Sequence, residues 1–155
     1  MSSRDHALQR WVAEQLGPDS ASLTPASADA SFRRYFRTAT KTGSVIVMDA
    51  PPPQEDCRPF IQVAELLRNA GVHAPEVLAQ DLEQGFLLLT DLGKQTYLEI
   101  LDAQNADEMF SDAIGALCKW QLASRSGILP SYDRALLRRE LNLFPEWYVA
   151  RHPGI

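Results

Sequence analysis

Gly85-Phe86-Leu87-Leu88-Leu89-Thr90-Asp91-Leu92-Gly93 is the stretch that decides the fold. The apolar run Phe86 to Leu89, closed by Thr90, reads as the strongest strand in the chain, and Asp91-Leu92-Gly93 follows as the join to the next lobe. On the N-terminal side of this stretch, helical and strand-like textures alternate. From Thr96 onward the texture is wholly helical: Thr96 with Glu99 and Asn105 with Glu108 read as capping boxes or near variants, and Phe110, Ala113, Ile114 and Leu117 form an apolar stripe. A last helical stretch from about Asp133 stacks Leu137, Leu141 and Phe144, with a break expected at Pro145.

Upstream, Glu83-Gln84-Gly85 is a turn pairing the decisive strand with Val77-Leu78-Ala79-Gln80. Before it a helix is expected, opening at Pro59, presenting Phe60, Val63, Ala64 and Leu67 on one face and stopping at Gly71. Val45-Ile46-Val47-Met48 and Phe32 to Thr38 read as two further strands joined by Lys41 to Ser44. Ser22-Leu23-Thr24 reads as a short first strand, followed by a small-residue turn from Ala26 to Ser31. The first helix, Arg4 to Leu16, is capped by Ser2 with Asp5, stopped by Gly17, and places Leu8, Trp11, Val12 and Leu16 on one face. The expected class is therefore α+β: a five-stranded antiparallel lobe over 1–90, a hinge at 91–95 and the start of a helical lobe over 96–155, truncated at its end.

Composition narrows the function classes. The chain has 155 residues, a net charge of −5, 45% apolar content and two cysteines. Cys57 and Cys118 show no metal-ligand spacing, which points to reduced thiols. No apolar run is long enough for a membrane span and the N-terminus has no secretory pattern, so a cytoplasmic location and no membrane partner are expected. The acidic balance argues against nucleic acid as a partner. Between Asp29 and Asp49 the only charges are Arg33, Arg34, Arg37 and Lys41, while Asp81 to Asp112 carries eight acids and one base. Each block reads either as a solvated face or as a surface aimed at a charged ligand.

Four landmarks together carry a resemblance: Ser27 to Arg37, Val45 to Pro52, Gly85 to Gly93, and Glu140-Leu141-Asn142-Leu143-Phe144-Pro145-Glu146-Trp147-Tyr148. In this order the chain resembles the aminoglycoside-phosphotransferase-like kinases and, within them, is similar to the bacterial anomeric sugar kinases acting on N-acetylmuramate and N-acetylglucosamine in cell-wall recycling. The resemblance implies a protein-kinase-like fold, ATP and Mg²⁺ as cofactors and a small amino sugar as acceptor. Other acceptors in the same superfamily are an aminoglycoside, a choline-like molecule or a ketosamine; a noncatalytic nucleotide-binding module is the alternative from another class.

The resemblance also assigns roles. Ser27, Ser31 and Phe32 would lie in the turn over the phosphates, with Arg33 and Arg34, or Arg37, adding positive charge beside Mg²⁺. Met48 falls at the position where most such kinases carry a lysine, with Glu65 as the counterpart on the following helix. Leu23, Val45 and Leu89 would wall the adenine; the Thr90 carbonyl and Leu92 N–H would bond it, with Asp91 between them. Glu140 and Trp147 would help to bind the sugar. Asp91-Leu92-Gly93 is not the metal motif of kinases, because no His-x-Asp catalytic loop precedes it. Gly93-Lys94-Gln95 is not a Walker A lysine. The general base and principal Mg²⁺ ligands are therefore expected beyond residue 155, and the fragment alone is expected to be inactive.

Overall fold

The computed structural model describes residues 2–18, 22–28 and 31–151. Helix α1 spans Ser3–Leu16 and is closed at its start by the expected capping box: Ser2 Oγ accepts from the Asp5 N–H at 3.1 Å and Asp5 Oδ2 from the Ser2 N–H at 2.8 Å. It ends at Gly17, whose N–H reaches the Ala13 carbonyl. Leu8, Trp11 and Val12, at helical spacing, are all buried.

Five strands follow: β1 Thr24–Ala28, β2 Arg34–Thr40, β3 Gly43–Asp49, β4 Val77–Asp81 and β5 Phe86–Thr90. They form one antiparallel sheet in the order β1-β2-β3-β5-β4. Helix α2, Arg58–Asn69 with Pro59 in its first turn, carries the chain from β3 to β4 at the edge, and β5 then returns between them. That central place explains the apolar run of β5: both of its faces are covered. The return is tight. Gly85 sits at φ +73°, and a Cβ there would lie 1.9 Å from the Ala50 carbonyl oxygen, so only glycine fits.

The first strand starts later than expected. Ser22 and Leu23 precede it, and Ala26 to Ala28 belong to the strand rather than to the turn. Edge placement permits this, since Pro25 needs no donor on its open side and a register irregularity between Pro25 and Ser27 accommodates the extra residue. The connection to β2 thereby shrinks to 29–33, of which Asp29 and Ala30 lie outside the described residues.

The sheet has two different faces. Val45, Val47, Phe86 and Leu88 pack against Leu8, Trp11 and Val12 of α1. Met48, Ala50, Cys57, Leu87 and Leu89 form a second cluster, against which Phe60 and Ile61 of α2 pack. Asp49, wholly buried at the end of β3, is bound by Arg4 of α1 and Arg34 of β2, and Arg34 also reaches Asp5 at 2.9 Å. This cage fastens α1 to the sheet. Asp5 is pulled down to about 2 by the Ser2 N–H and by Arg34.

Beyond β5 lie α3 Tyr97–Ile100, with the Thr96–Glu99 capping box in place, and α4 Ala106–Ala123. Asn105 binds the Asp102 N–H and the Ile100 carbonyl instead of forming the expected box with Glu108. Phe110, Ile114 and Leu117 are more than half exposed. The chain divides into two compact units, Met1–Ala123 and Ser124–Ile155. In the second, α5 Arg134–Leu143 is capped by Asp133, and the helix widens into a π-helical segment, Phe144–Val149, in place of the expected break. Pro145 falls in the first turn of that segment, so the helix meets the missing N–H by widening instead of ending. Among the described residues no helix is long and apolar enough to cross a membrane.

Candidate functional site

Helix α2 covers the Met48 and Leu87 part of its face, whereas Ile46 and Leu89 border a cavity of about 500 Å³ within the first unit. Its floor is the sheet, through Tyr35, Ile46 and Leu89. Ala26 and Ser27 of β1 wall it on one side, and Phe60 and Pro75 on another. The segment from Thr90 to Thr96 closes one end. Such a mostly apolar slot edged by backbone suits a flat, nitrogen-bearing ring.

The edge at 90–96 is shaped by hydrogen bonds. The Thr90 N–H donates to the Glu76 carbonyl at 3.0 Å, and Thr90 Oγ1 accepts from the Glu76 N–H at 2.9 Å. The Asp91 carboxylate, only 7% exposed, accepts from Nε and Nη2 along one edge of the Arg37 guanidinium, from the Ser44 hydroxyl at 2.6 Å and from the Gly93 N–H at 3.0 Å. Arg37 also donates to the Gly93 carbonyl at 2.8 Å. Arg37, aided by Ser44 and Gly93, holds the Asp91 carboxyl well below the usual carboxylate range against the effect of burial. Asp91 is thus occupied within the fold and sets the path of the linker. Among the described residues the Leu92 N–H has no hydrogen-bond partner, and neither has the Lys94 ammonium at the cavity edge.

Just before β2, outside the residues that line the cavity, Glu55 accepts from Arg33 Nε at 2.9 Å and from the Phe32 N–H at 3.2 Å. Burial opposes the charge of Arg33, but hydrogen bonds to Tyr35 and Glu55 hold its pKa above the ordinary arginine value.

The expected site residues therefore separate into groups. Ser27, Leu89, Thr90, Asp91 and Leu92 gather around the cavity. Ser31 and Phe32 are exposed on the connection between β1 and β2, beside Arg33. Arg34 pairs across the sheet with Asp49 and is engaged on the α1 face. Val45 is a correction: it is buried beneath α1, because side chains alternate along β3, and its neighbour Ile46, opposite Leu89, takes the wall position. Leu23 packs with the α1 cluster too. Met48 is wholly buried, whereas Glu65 is exposed. In the second unit, Glu140 pairs with Arg139 at 3.0 Å, and Trp147 is 58% exposed with the Arg151 guanidinium 3.9 Å from its ring centre. The cavity residues not named as site residues from the sequence are Ala26, Tyr35, Ile46, Phe60, Pro75, Gly93, Lys94 and Thr96. Ile46 was within reach of the period-two rule once β3 and β5 are paired.

Residues 22–154 match the Phosphotransferase enzyme family. The chain is 62% identical over 146 residues to an N-acetylmuramate/N-acetylglucosamine kinase of Pseudomonas aeruginosa, covering 94% of this chain and 43% of that protein. It is 55% identical over 168 residues to the protein of that name in Pseudomonas putida, covering 100% and 50%, and 41% identical over 156 residues to that of Neisseria meningitidis serogroup B, covering 97% and 46%. The chain spans about half the length of the curated relatives it matches.

Proposed function

Because the chain belongs to the phosphotransferase enzyme family, we propose that it supplies the nucleotide site of an ATP-dependent cytoplasmic kinase. The kinase transfers the terminal phosphate to the anomeric hydroxyl of N-acetylmuramate or N-acetylglucosamine, the sugars named in its relatives. The observation that carries the reading is the linker edge of the cavity. There the Leu92 N–H, without a partner among the described residues, lies two residues from the Thr90 carbonyl, above apolar walls formed by Ile46 and Leu89. An adenine ring offers the matching acceptor and donor on one edge.

In this reading residues 1–90 form the small lobe, 91–95 the hinge and 96–155 the first part of a helical lobe. Ile46, Leu89 and Ala26 sandwich the base, Asp91 keeps the linker in register through Arg37, and Ser27, Ser31, Phe32 and Arg33 lie toward the phosphates. Glu140 and Trp147 are assigned to the acceptor sugar. Mg²⁺ is the metal such a transfer uses, neutralising phosphate charge. The described residues contain no group of three or more histidine, cysteine, aspartate or glutamate side chains able to hold a metal. No general base is assigned within these residues either.

The test is a coupled ADP-release assay on the protein expressed from its complete reading frame, with N-acetylmuramate, N-acetylglucosamine, choline and aminoglycosides as acceptors. Turnover with the N-acetyl sugars, and a product with phosphate at the anomeric carbon, is expected. Turnover with an aminoglycoside or choline alone would overturn the assignment of acceptor, and ATP binding without any transfer would favour a noncatalytic nucleotide-binding module.

A further inference from the structure

The fold leaves a chemical gap. Kinases set a cation against the nucleotide phosphates and orient it with a carboxylate. Here Met48 stands wholly buried at the strand-three position and Glu65 is exposed. A cation held by a carboxylate does exist, however, just before β2, two residues from Tyr35 of the cavity floor. Arg33 Nε is bound by one oxygen of Glu55 at 2.9 Å, and the Phe32 N–H by the other at 3.2 Å. The two side chains are 27% and 11% exposed, which places the pair at the boundary between protein and solvent.

We infer that Glu55 is the positioning residue for the nucleotide phosphates: it fixes Arg33 and the Phe32 backbone at the phosphate end of the cavity, taking the place of the lysine–glutamate pair. The inference rests on the nucleotide reading proposed above. Three features support it. From Arg37, beside the linker, β2 runs to Arg34 at about 3.4 Å per residue, so Arg33 stands more than about 10 Å along the strand from the linker edge. Glu55 takes the Nε of Arg33, and a guanidinium carries further N–H donors suited to phosphate oxygens. The same carboxylate ties the connection between β1 and β2 to the segment that follows β3, so one side chain sets both the cation and the backbone around it. Arg34, one position along, is engaged by Asp49 and Asp5 on the other face.

The test compares ATP with adenosine, which shares the base and ribose but lacks the phosphates. Dissociation constants for both are measured by titration calorimetry on the protein from its complete reading frame, for the wild type and for Arg33→Met, Glu55→Ala, Glu55→Asp and Glu55→Gln. Arg33→Met and Glu55→Ala are expected to weaken ATP about tenfold to a hundredfold, with adenosine unchanged within about twofold. Glu55→Asp, keeping the charge, should recover part of the loss. Should Glu55→Ala fold poorly, the isosteric Glu55→Gln is read instead and should weaken ATP selectively in the same way. If the Glu55 variants bind ATP as well as the wild type does, or more tightly, the positioning role is wrong while the nucleotide site stands. Equal losses for ATP and adenosine would assign Glu55 a merely structural part and also overturn the inference. A wild-type protein that binds neither compound would sink the nucleotide reading and this inference with it.

Discussion

On the α1 face of the sheet, Val45, Val47, Phe86 and Leu88 lie sealed beneath Leu8, Trp11 and Val12; on the α2 face, the strand neighbours Ile46 and Leu89 border a cavity. The same strands build both. What differs is the cover: α1 lays a buried tryptophan over its face and is locked down by the cage around Asp49, whereas α2 packs over only part of the other. Apolar residues on the first face stabilise the fold. On the second, Met48 and Leu87 do the same under α2 while Ile46 and Leu89 border the cavity, and the polar groups around it hold backbone in place. The contrast predicts that substitutions one residue apart in β3 or β5 act on different observables.

The largest effect is expected at the sealed face. Trp11→Ala should cost about 3–5 kcal/mol in denaturant unfolding, the usual penalty for emptying an aromatic site in a core. The dissociation constant for ATP of the remaining folded protein should be unchanged. Asp49→Asn comes next, at about 2–3 kcal/mol: less than for a fully buried ion pair, because the Arg4 and Arg34 side chains it would leave without a charge partner are 29% and 43% exposed. A nucleotide affinity that collapsed in either variant while the fold persisted would break the division between the faces.

At the open face the signs reverse. Ile46→Trp should fill the cavity and weaken ATP about tenfold or more in a binding titration, with the melting temperature within a few degrees of wild type. The smallest effect is expected at the linker, and it is a dependence on pH. The folded pKa of Asp91 is depressed, so its contribution to stability is complete above the unfolded value of about 3.9 and is lost as pH falls toward the folded value. The melting-temperature gap between wild type and Asp91→Asn should therefore stay constant from neutral pH to about pH 4 and close only below it. A gap that closed between pH 7 and 5 would mean that the carboxylate is not held as the geometry indicates.

Much of this arrangement was legible in the residues. Ser2 with Asp5, Gly17, the Glu83-Gln84-Gly85 turn and the apolar run after it announce themselves through capping, turn chemistry and composition, and the linker residues Thr90 to Leu92 follow from where that run ends. The first strand was misplaced because Pro25 and the small residues after it have little intrinsic strand preference; only pairing with β2 makes them one. Val45 to Met48 is apolar throughout, so no polar alternation shows which residues share a face, and only pairing with β5 puts Ile46 rather than Val45 beside the cavity. The commitments of the arginines lay hidden for another reason. Arg34 meets Asp49 and Asp5, Arg33 meets Glu55 and Arg37 meets Asp91 across sequence separations that no local pattern encodes.

The claim on which the functional reading depends is that the cavity between the sheet and the 90–96 linker receives adenine. Photolabelling the protein from its complete reading frame with an azido-ATP, followed by peptide mapping, tests it most directly. Labelling that saturates, is blocked by ATP and falls on peptides containing Ile46 or Thr90 to Lys94 is the expected result. Saturable, ATP-protected labelling confined to peptides that contribute nothing to the cavity wall would contradict it.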